Sequence, residues 1–293
     1  PKTSRYFPVL RLLGMVYLYW RVAELGGSSF CMPGGENLDI IEVRLPESFE
    51  TVEIYPLSDL HIGDPKVDKR LFREFLNHIM AEPNRFIIYN GDNMNNAIKS
   101  SVSNVYNEEM NPREQKKWLQ HELKPVKDRI LVFVEGNHEG RTTKDTDQRI
   151  VEDIADYLDK GELYRENEAY IKLCFGKRRK SESQMCYTIY VVHGNGGGKR
   201  PGSAVNNIEL LALGTDADIY IMGHVHKKIA YKNAVRRPDL RNNNILEQER
   251  LFVVSSHWSE FGGYAARKMY NPSAKGSVPI KLYDGVKKME AVI

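Results

Sequence analysis

From residue 36 onward, short runs of β-branched and aromatic residues alternate with amphipathic stretches. This alternation predicts strands that are joined by crossover helices, and therefore an α/β fold. Helices are expected at Asp68–Ala81, where the aspartate can cap the first turn, and at Glu108–Leu123, Asp147–Leu158 and Asn206–Leu213. The predicted strands are Val52–Leu57, Phe86–Asn90, Ile130–Glu135, Tyr170–Phe175, Tyr187–Val192, Asp218–Met222, Leu251–Ser255, Pro279–Tyr283 and Lys288–Val292.

The first 31 residues differ in composition from the rest of the chain. Their apolar stretch, Leu12–Trp20, is nine residues long, well short of the ~20 residues that a membrane-spanning helix needs. We interpret it as a helix followed by a Gly/Ser linker, so that residues 1–35 form an extension and residues 36–293 a single domain. An extension preceding a start at Met32, and a helix that binds a partner or mediates oligomerisation, are the two alternatives. We find no strong membrane signal.

The composition is that of an ordinary folded enzyme, with 41% hydrophobic and 28% charged residues and a formal net charge of +3. It excludes a disordered, collagen-like or multi-span membrane protein. So small a positive excess creates no strong field, and any contact with nucleic acid must therefore be local. Three cysteines, Cys31, Cys174 and Cys186, argue against a disulfide-stapled secreted scaffold and for a reducing compartment. We therefore expect a cytoplasmic protein.

Five of the predicted strands are followed at once by residues of the types that bind metal ions. Sites in open α/β sheets lie beyond the carboxyl ends of the strands, so the five clusters should converge in one crevice. In an extended segment, residues i and i+2 point the same way, and each Asp-x-His or His-x-His pair can therefore serve one centre. The clusters are Asp59 and His61 in Ser-Asp-Leu-His-Ile-Gly, Asp92 in Asn-Gly-Asp-Asn, Asn137 and His138 in Glu-Gly-Asn-His-Glu, His193 in Val-Val-His-Gly, and His224 and His226 in Gly-His-Val-His.

In this order, the five motifs resemble those of the calcineurin-like metallophosphoesterases, and in particular the small bacterial and bacteriophage enzymes. The resemblance covers roughly Val52 to His226. It implies a four-layer sandwich of two mixed β-sheets flanked by helices. It also implies one metal ion on Asp59, His61 and His226, a second on Asn137, His193 and His224, a bridging Asp92, and a non-ligand His138 that faces the substrate.

The chemistry of such a site explains these residue types. Two divalent ions about 3.5–4 Å apart can share a hydroxide as nucleophile and polarise the phosphoryl group. Imidazole and carboxylate ligands without thiolate suit Mn²⁺, Fe, Zn²⁺ or Co²⁺ better than Mg²⁺ or Ca²⁺, and we take Mn²⁺ as the working metal. A protonated His138 would act as general acid or donate a hydrogen bond to the leaving oxygen. We interpret His78 and His121, both in predicted helices, as structural residues.

Departures from relatives narrow the substrate class. Protein Ser/Thr phosphatases clamp a terminal phosphate with arginines that have no counterpart in residues 93–96 or 134–135, which favours diesters over monoesters. Lys199 and Arg200, in the glycine-rich loop after His193, are candidate contacts for a non-scissile phosphate, although a solvated loop is the plain alternative.

Two more features bear on the substrate. His257 is a candidate cleft residue, and the basic run 177–180 is expected at a hairpin tip, where it is either a solvated turn or a contact for a nucleic-acid backbone. We predict a phosphodiesterase acting on nucleic acid, either DNA or RNA, or on nucleotides. A broad-specificity phosphomonoesterase and a non-catalytic binding scaffold are the alternatives.

Overall fold

The computed structural model describes residues 19–20, 39–99, 101, 105–178, 183–262, 266, 269 and 271–293. The strands are β1 (Tyr19–Trp20), β2 (Ile41–Arg44), β3 (Thr51–Leu57), β4 (Arg85–Asn90), β5 (Ile130–Val134), β6 (Tyr164–Arg165), β7 (Glu168–Phe175), β8 (Met185–Val192), β9 (Ile219–Met222), β10 (Ile229–Asp239), β11 (Asn244–Val254), β12 (Ile280–Tyr283) and β13 (Met289–Ala291). The helices are α1 (Lys69–Ala81), α2 (Pro112–Leu123), α3 (Gly140–Thr146), α4 (Ile150–Tyr157) and α5 (Pro201–Gly214).

These strands form two mixed sheets, as the family resemblance implied. One sheet has the order β13-β12-β3-β4-β5-β6, and its four strands from β3 to β6 run parallel. The other has the order β1-β2-β7-β8-β9-β11-β10, with β8, β9 and β11 parallel. Parallel neighbours end at the same edge, so the loops after β3, β4 and β5 and those after β8, β9 and β11 are brought together.

The main hydrophobic core lies between the sheets, and alternation along β9 shows how it is built. Ile219 and Ile221 belong to this core, whereas Tyr220 and Met222 point to the other face, where they pack with Ile208 of α5. On the outside of the other sheet, α1 contacts β4 and α4 contacts β5. The predicted four-layer sandwich is therefore confirmed.

Two helices begin where their capping residues place them. The Asp68 side chain accepts a hydrogen bond from the Leu71 backbone and caps α1, as predicted. The second helix begins at Pro112 rather than at Glu108, because Asn111 and Glu114 form a capping box in front of it. Helix α3 was not predicted, and α5 begins at Pro201, five residues before the predicted start at Asn206.

The long hairpin of β10 and β11 was not predicted beyond Leu251–Ser255. Its two strands pair antiparallel from Ile229 opposite Val254 to Asp239 opposite Asn244. Most of its outer residues are exposed, so the alternation of apolar and polar residues that marks a half-buried strand is missing there.

Two residues of the N-terminal extension have a structure that differs from the predicted helix. Tyr19 and Trp20, expected at the end of a helix, form β1 and pair antiparallel with Val43 and Arg44 of β2. The rest of the predicted helix and its linker lie outside the described residues, and the domain boundary after residue 35 stays a prediction. Within the described ranges, no helix is long and apolar enough to cross a membrane.

Cys174 and Cys186 form a disulfide, which differs from the expectation drawn from cysteine usage. The two residues lie directly opposite each other on the antiparallel strands β7 and β8, with their Cα atoms 4.1 Å apart. Spacing along the sequence could not reveal this register. Because such bonds are rare in reducing compartments, the predicted cytoplasmic location loses the support that the cysteines had given it.

Candidate metal centre

The candidate ligands meet where the loops after five parallel strands converge. Asp59 and His61 follow β3, Asp92 follows β4, Asn137 follows β5, His193 follows β8, and His224 and His226 follow β9. Backbone hydrogen bonds join the loops: the Asp59 amide donates to the Gly91 carbonyl at 3.1 Å, and the Gly223 amide donates to the His193 carbonyl at 3.0 Å. The predicted convergence of these residues at the strand ends is therefore present.

Several candidate ligands have a strained backbone. The φ angles are 55° at Asp59, 52° at His61, 51° at Asp92, 66° at His224 and 55° at His226. A non-glycine residue held in a sparsely populated region costs about 1–3 kcal/mol, and such residues cluster at functional sites. The predicted reason for convergence, an extended backbone at i and i+2, is wrong here. The side chains converge because the chain turns sharply after each strand.

Two glycines allow the loops to pack backbone against backbone. A Cβ atom added to Gly91, which has a φ of 73°, would lie 2.6 Å from the Cα atom of Gly136. A Cβ atom on Gly136 would overlap the backbone nitrogen of Asp92. The loop that carries Asp92 and the loop that carries Asn137 and His138 therefore approach as closely as they do only because neither glycine has a side chain.

A first group of donor atoms consists of Asp59, His61 and His226. The Nε2 atom of His226 lies 3.1 Å from Oδ1 of Asp59 and 3.0 Å from Nε2 of His61. Asp59 and His61 are buried, and His226 is half-buried. One ligand atom from each residue lies within 4.8 Å of the others.

A second group consists of Asp92, His193 and His224, whose ligand atoms also lie within 4.8 Å of one another. The Nε2 atom of His193 is 3.1 Å from Oδ2 of Asp92. Asn137 joins this group through its Oδ1 atom, which lies 2.8 Å from Nδ1 of His224. Asp92 also forms a third such set with His61 and His138, so it stands between the two groups.

These residues fit divalent cations. Oδ1 of Asp59 and Nε2 of His193 are buried and have no hydrogen-bond partner among the described residues, although Oδ1 of Asp59 lies 3.1 Å from Nε2 of His226 and Nε2 of His193 lies 3.1 Å from Oδ2 of Asp92. Buried polar atoms are ordinarily satisfied. Oδ1 of Asp59 therefore has a lone pair available to a cation, and an imidazole and carboxylate set suits a transition metal.

The family model of calcineurin-like phosphoesterases matches residues 52–228, more than half of the chain. The chain belongs to this family. The match covers all seven candidate ligands, and no sequence among curated proteins matches the chain significantly.

Several solved structures have a similar arrangement. They include a predicted phosphoesterase from Streptococcus pneumoniae TIGR4, at 13% identity over 84% of this chain and 100% of that chain, with a TM-score of 0.37. The calcineurin-like phosphoesterase YfkN from Bacillus subtilis is 12% identical over 83% of this chain and 90% of that chain, with a TM-score of 0.35. Wild-type Vps29 from Entamoeba histolytica, complexed with zinc, is 12% identical over 82% and 98%, with a TM-score of 0.37. These TM-scores are too low for the similarities to support a function.

Neighbouring charges shift the pKa values of the residues in this centre. Burial opposes ionisation of Asp92, but His193, His138 and His61 together outweigh it and hold the pKa of the carboxyl well below its ordinary value. Burial likewise opposes protonation of His193, yet Asp92 raises the pKa of this histidine to about 10. Without metal, a proton therefore balances the buried carboxylate. A metal ion that binds His193 must displace this proton.

Glu139 supports the bridging position and had no assigned role in the sequence analysis. Its buried carboxylate accepts hydrogen bonds from the backbone amides of Asp92 and Met94, both at 2.9 Å. Burial, reinforced by the charge of Asp92, raises the pKa of Glu139 to about 8. The residue thus shapes the turn that presents Asp92. Its place in the Gly-Asn-His-Glu motif was the available signal.

His138 lies on the open side of the centre. Its Nδ1 atom is 2.8 Å from the Asn95 carbonyl, so Nδ1 carries the hydrogen and Nε2 faces the ligands, 3.7 Å from Oδ2 of Asp92. Burial lowers the pKa of His138, and Asp92 opposes this effect. Arg141, which the sequence analysis missed, donates from Nη1 to the same Asn95 carbonyl at 3.3 Å.

Of the three predicted substrate contacts, one lies near a candidate ligand and two lie on an exposed loop. His257 is half-buried at the end of β11, with its ring 5.5 Å from that of His226, and burial lowers its pKa to about 4. Lys199 and Arg200 are exposed before α5, and neither side chain bonds to a candidate ligand. The loop is held instead by Lys227, whose Nζ donates to the Gly198 carbonyl at 2.6 Å.

His78, His121 and the basic run 177–180 were predicted to lie outside the metal site. His78 lies 2.8 Å from the Tyr55 hydroxyl, in agreement with a structural role, and His121 is exposed on α2. In the basic run 177–180, Arg178 pairs with Glu47 at 2.8 Å. Residues 179 and 180 lie outside the described part of the chain.

Proposed function

We propose that this protein is a metal-dependent phosphodiesterase that acts on nucleic acid or nucleotides with two divalent ions in its site. The observation that carries the proposal is the pair of donor groups on either side of Asp92, each with a buried atom that has no hydrogen-bond partner. Asp59, His61 and His226 would hold one ion, and Asn137, His193 and His224 the other. Mn²⁺ is the proposed metal.

The bound ions would lower the pKa of a water molecule and stabilise negative charge on the phosphoryl oxygens. The side chains of the protein would position the substrate and move the proton. The Asn95 carbonyl fixes the tautomer of His138, so that a proton is held or moved at Nε2, on the side of the substrate. Burial lowers the pKa of this imidazole, whereas an anionic phosphate beside it would raise the pKa and favour the protonated form that can serve the leaving oxygen.

The preference for diesters is supported by the residues beside Asp92 and Asn137. The stretches 93–96 and 134–135 contain no arginine. A monoester dianion needs more charge neutralisation than a diester, which carries one negative charge less. The exposed Lys199 and Arg200 support a longer, anionic substrate such as a polynucleotide, whose backbone they would contact.

Matched aryl monoester and diester substrates test this proposal. With the Mn²⁺-loaded protein, we expect a higher kcat/KM for the diester, and activity on single-stranded or duplex DNA or RNA in the same metal-dependent manner. A monoester preference of tenfold or more would overturn the phosphodiesterase assignment in favour of a broad-specificity phosphomonoesterase.

A further inference from the structure

We propose that Arg141 binds a non-bridging oxygen of the scissile phosphate, beside His138. The inference rests on the proposed function, since it assigns a residue to the substrate of that same site. Residues 93–96 and 134–135 contain no arginine, so Arg141 would neutralise a single charge, which is the charge that a phosphodiester carries.

Arg141 lies beside His138. Arg141 is the second residue of α3, three residues after His138, and both side chains bond to the Asn95 carbonyl, at 2.8 Å from Nδ1 of His138 and 3.3 Å from Nη1 of Arg141. The guanidinium and the imidazole therefore lie side by side. The imidazole ring in turn is 4.5 Å from the ring of His61, which places the guanidinium at the edge of the metal centre.

The positive charge of Arg141 has no carboxylate bonded to it among the described residues. Arg141 is half-buried, yet it forms no ion pair with any residue that the structure describes. Some other arginines pair with carboxylates, such as Arg85 with Glu53 at 3.0 Å and Arg73 with Glu122 at 2.7 Å, whereas Arg129 and Arg165 also donate to backbone carbonyls. A partly buried charge without a partner is costly. An anionic ligand would remove that cost.

The nearby carboxylates already have their own donors. Glu139 accepts two backbone amides, and Asp92 accepts the His138 amide at 2.7 Å. Glu108 accepts from the amide groups of Asn95 and Gln115 at 2.6 and 3.1 Å. Asp92 acts on the charge of Arg141 without bonding to it, so the guanidinium has N–H donors left for a ligand.

The chemistry of the guanidinium selects the ligand. It has five N–H donors in a planar fork, and one backbone carbonyl is its only acceptor among the described residues. That fork matches the oxygens of a phosphate. A fixed cation next to two metal ions is repelled by them unless an anion lies between, and the phosphoryl group is the anion that the site would hold.

The test compares Arg141→Ala, Arg141→Lys and a control, Lys144→Ala, which removes one charge from the exposed face of the same helix. For each Mn²⁺-loaded protein, the Kd of inorganic phosphate, the metal content, the Tm and the kcat/KM for an aryl diester are measured. We expect Arg141→Ala to weaken phosphate binding and kcat/KM about 10- to 100-fold, as loss of a charge-assisted hydrogen bond predicts. Metal content should stay unchanged, and added guanidinium ion should restore part of the activity.

Arg141→Lys should bind phosphate with intermediate affinity, because the charge remains and the fork is lost. Unchanged phosphate affinity in Arg141→Ala, or loss of metal in both Arg141 variants, would overturn the proposal and make the residue structural. If the wild-type protein hydrolyses no diester, the proposed function fails, whereas the phosphate affinities still decide the role of Arg141.

Discussion

At the scale of single residues, the site is built from side chains that hold one another in place. The Asn95 carbonyl orients His138, the Asn90 carbonyl accepts from Nδ1 of His193 at 2.7 Å, and Glu139 holds the turn that carries Asp92. Such contacts orient ligands and fix their tautomers. His138 stands apart from the two proposed ligand sets, and its removal should therefore separate metal binding from rate.

The variant His138→Ala should keep its metal ions and lose turnover by about 100- to 10,000-fold, the usual contribution of a positioned acid or base. Metal analysis and kcat for an aryl diester provide the measurement. His121→Ala, a change of the exposed histidine on α2, is the matched control and should leave both values unaltered. Loss of metal from His138→Ala would make it a ligand instead.

The sequence predicts the seven ligand positions because the motifs follow strands with a clear hydrophobic pattern and resemble those of the calcineurin-like phosphoesterases. It does not predict Arg141 or Glu139. Arg141 contacts the Asn95 carbonyl, and Glu139 contacts the Asp92 amide. Both contacts join separate loops, and only the folded chain defines these distances. The left-handed backbone at Asp59 and His61 was hidden for the same reason.

At the scale of elements, the strands that enter the site were the most predictable parts. β3, β4 and β9 each end in at least four consecutive buried residues, and their predicted limits agree with the structure to within one residue. The missed helix α3 is short and contains no buried residue, so it lacks an apolar stripe. The loops between strands and helices are where site geometry is decided, and their glycines can be tested directly.

The variant Gly136→Ala should destabilise the protein by about 1–3 kcal/mol, as overpacking does, because its methyl group would press on the Asp92 backbone. Metal affinity should fall with it. Urea unfolding and Mn²⁺ titration measure the two effects. Gly202→Ala, in α5, is the control, since nothing lies within 4 Å of the added Cβ atom. Equal stability of the two variants would contradict the close packing of the loops.

At the scale of the whole molecule, the two sheets bring distant parts of the sequence to one edge. His61 and His226, 165 positions apart, approach to 3.0 Å. The N-terminal residues lie elsewhere: β1 pairs with β2 at the edge of its sheet, and none of the ligand motifs precedes β3. The extension should therefore be dispensable for the site.

Removal of residues 1–31 should leave metal content and diester turnover nearly unchanged. Deletion of β1 uncovers only the short edge strand β2, Ile41–Arg44. Metal analysis, kcat/KM and the mass from light scattering, each compared with the full chain, check this. Loss of metal binding would show that the extension belongs to the core of the domain, and a change in mass would support a role in association.

The central claim is that Asp92 joins two metal sites in one centre. Isothermal titration of the wild-type protein and of Asp92→Asn with Mn²⁺ tests it most directly. We predict two ions per wild-type chain, and loss of stoichiometric loading together with turnover in the variant, because a neutral amide cannot balance two cations that it bridges. Two tightly bound ions in Asp92→Asn, with activity near that of the wild type, would contradict the account.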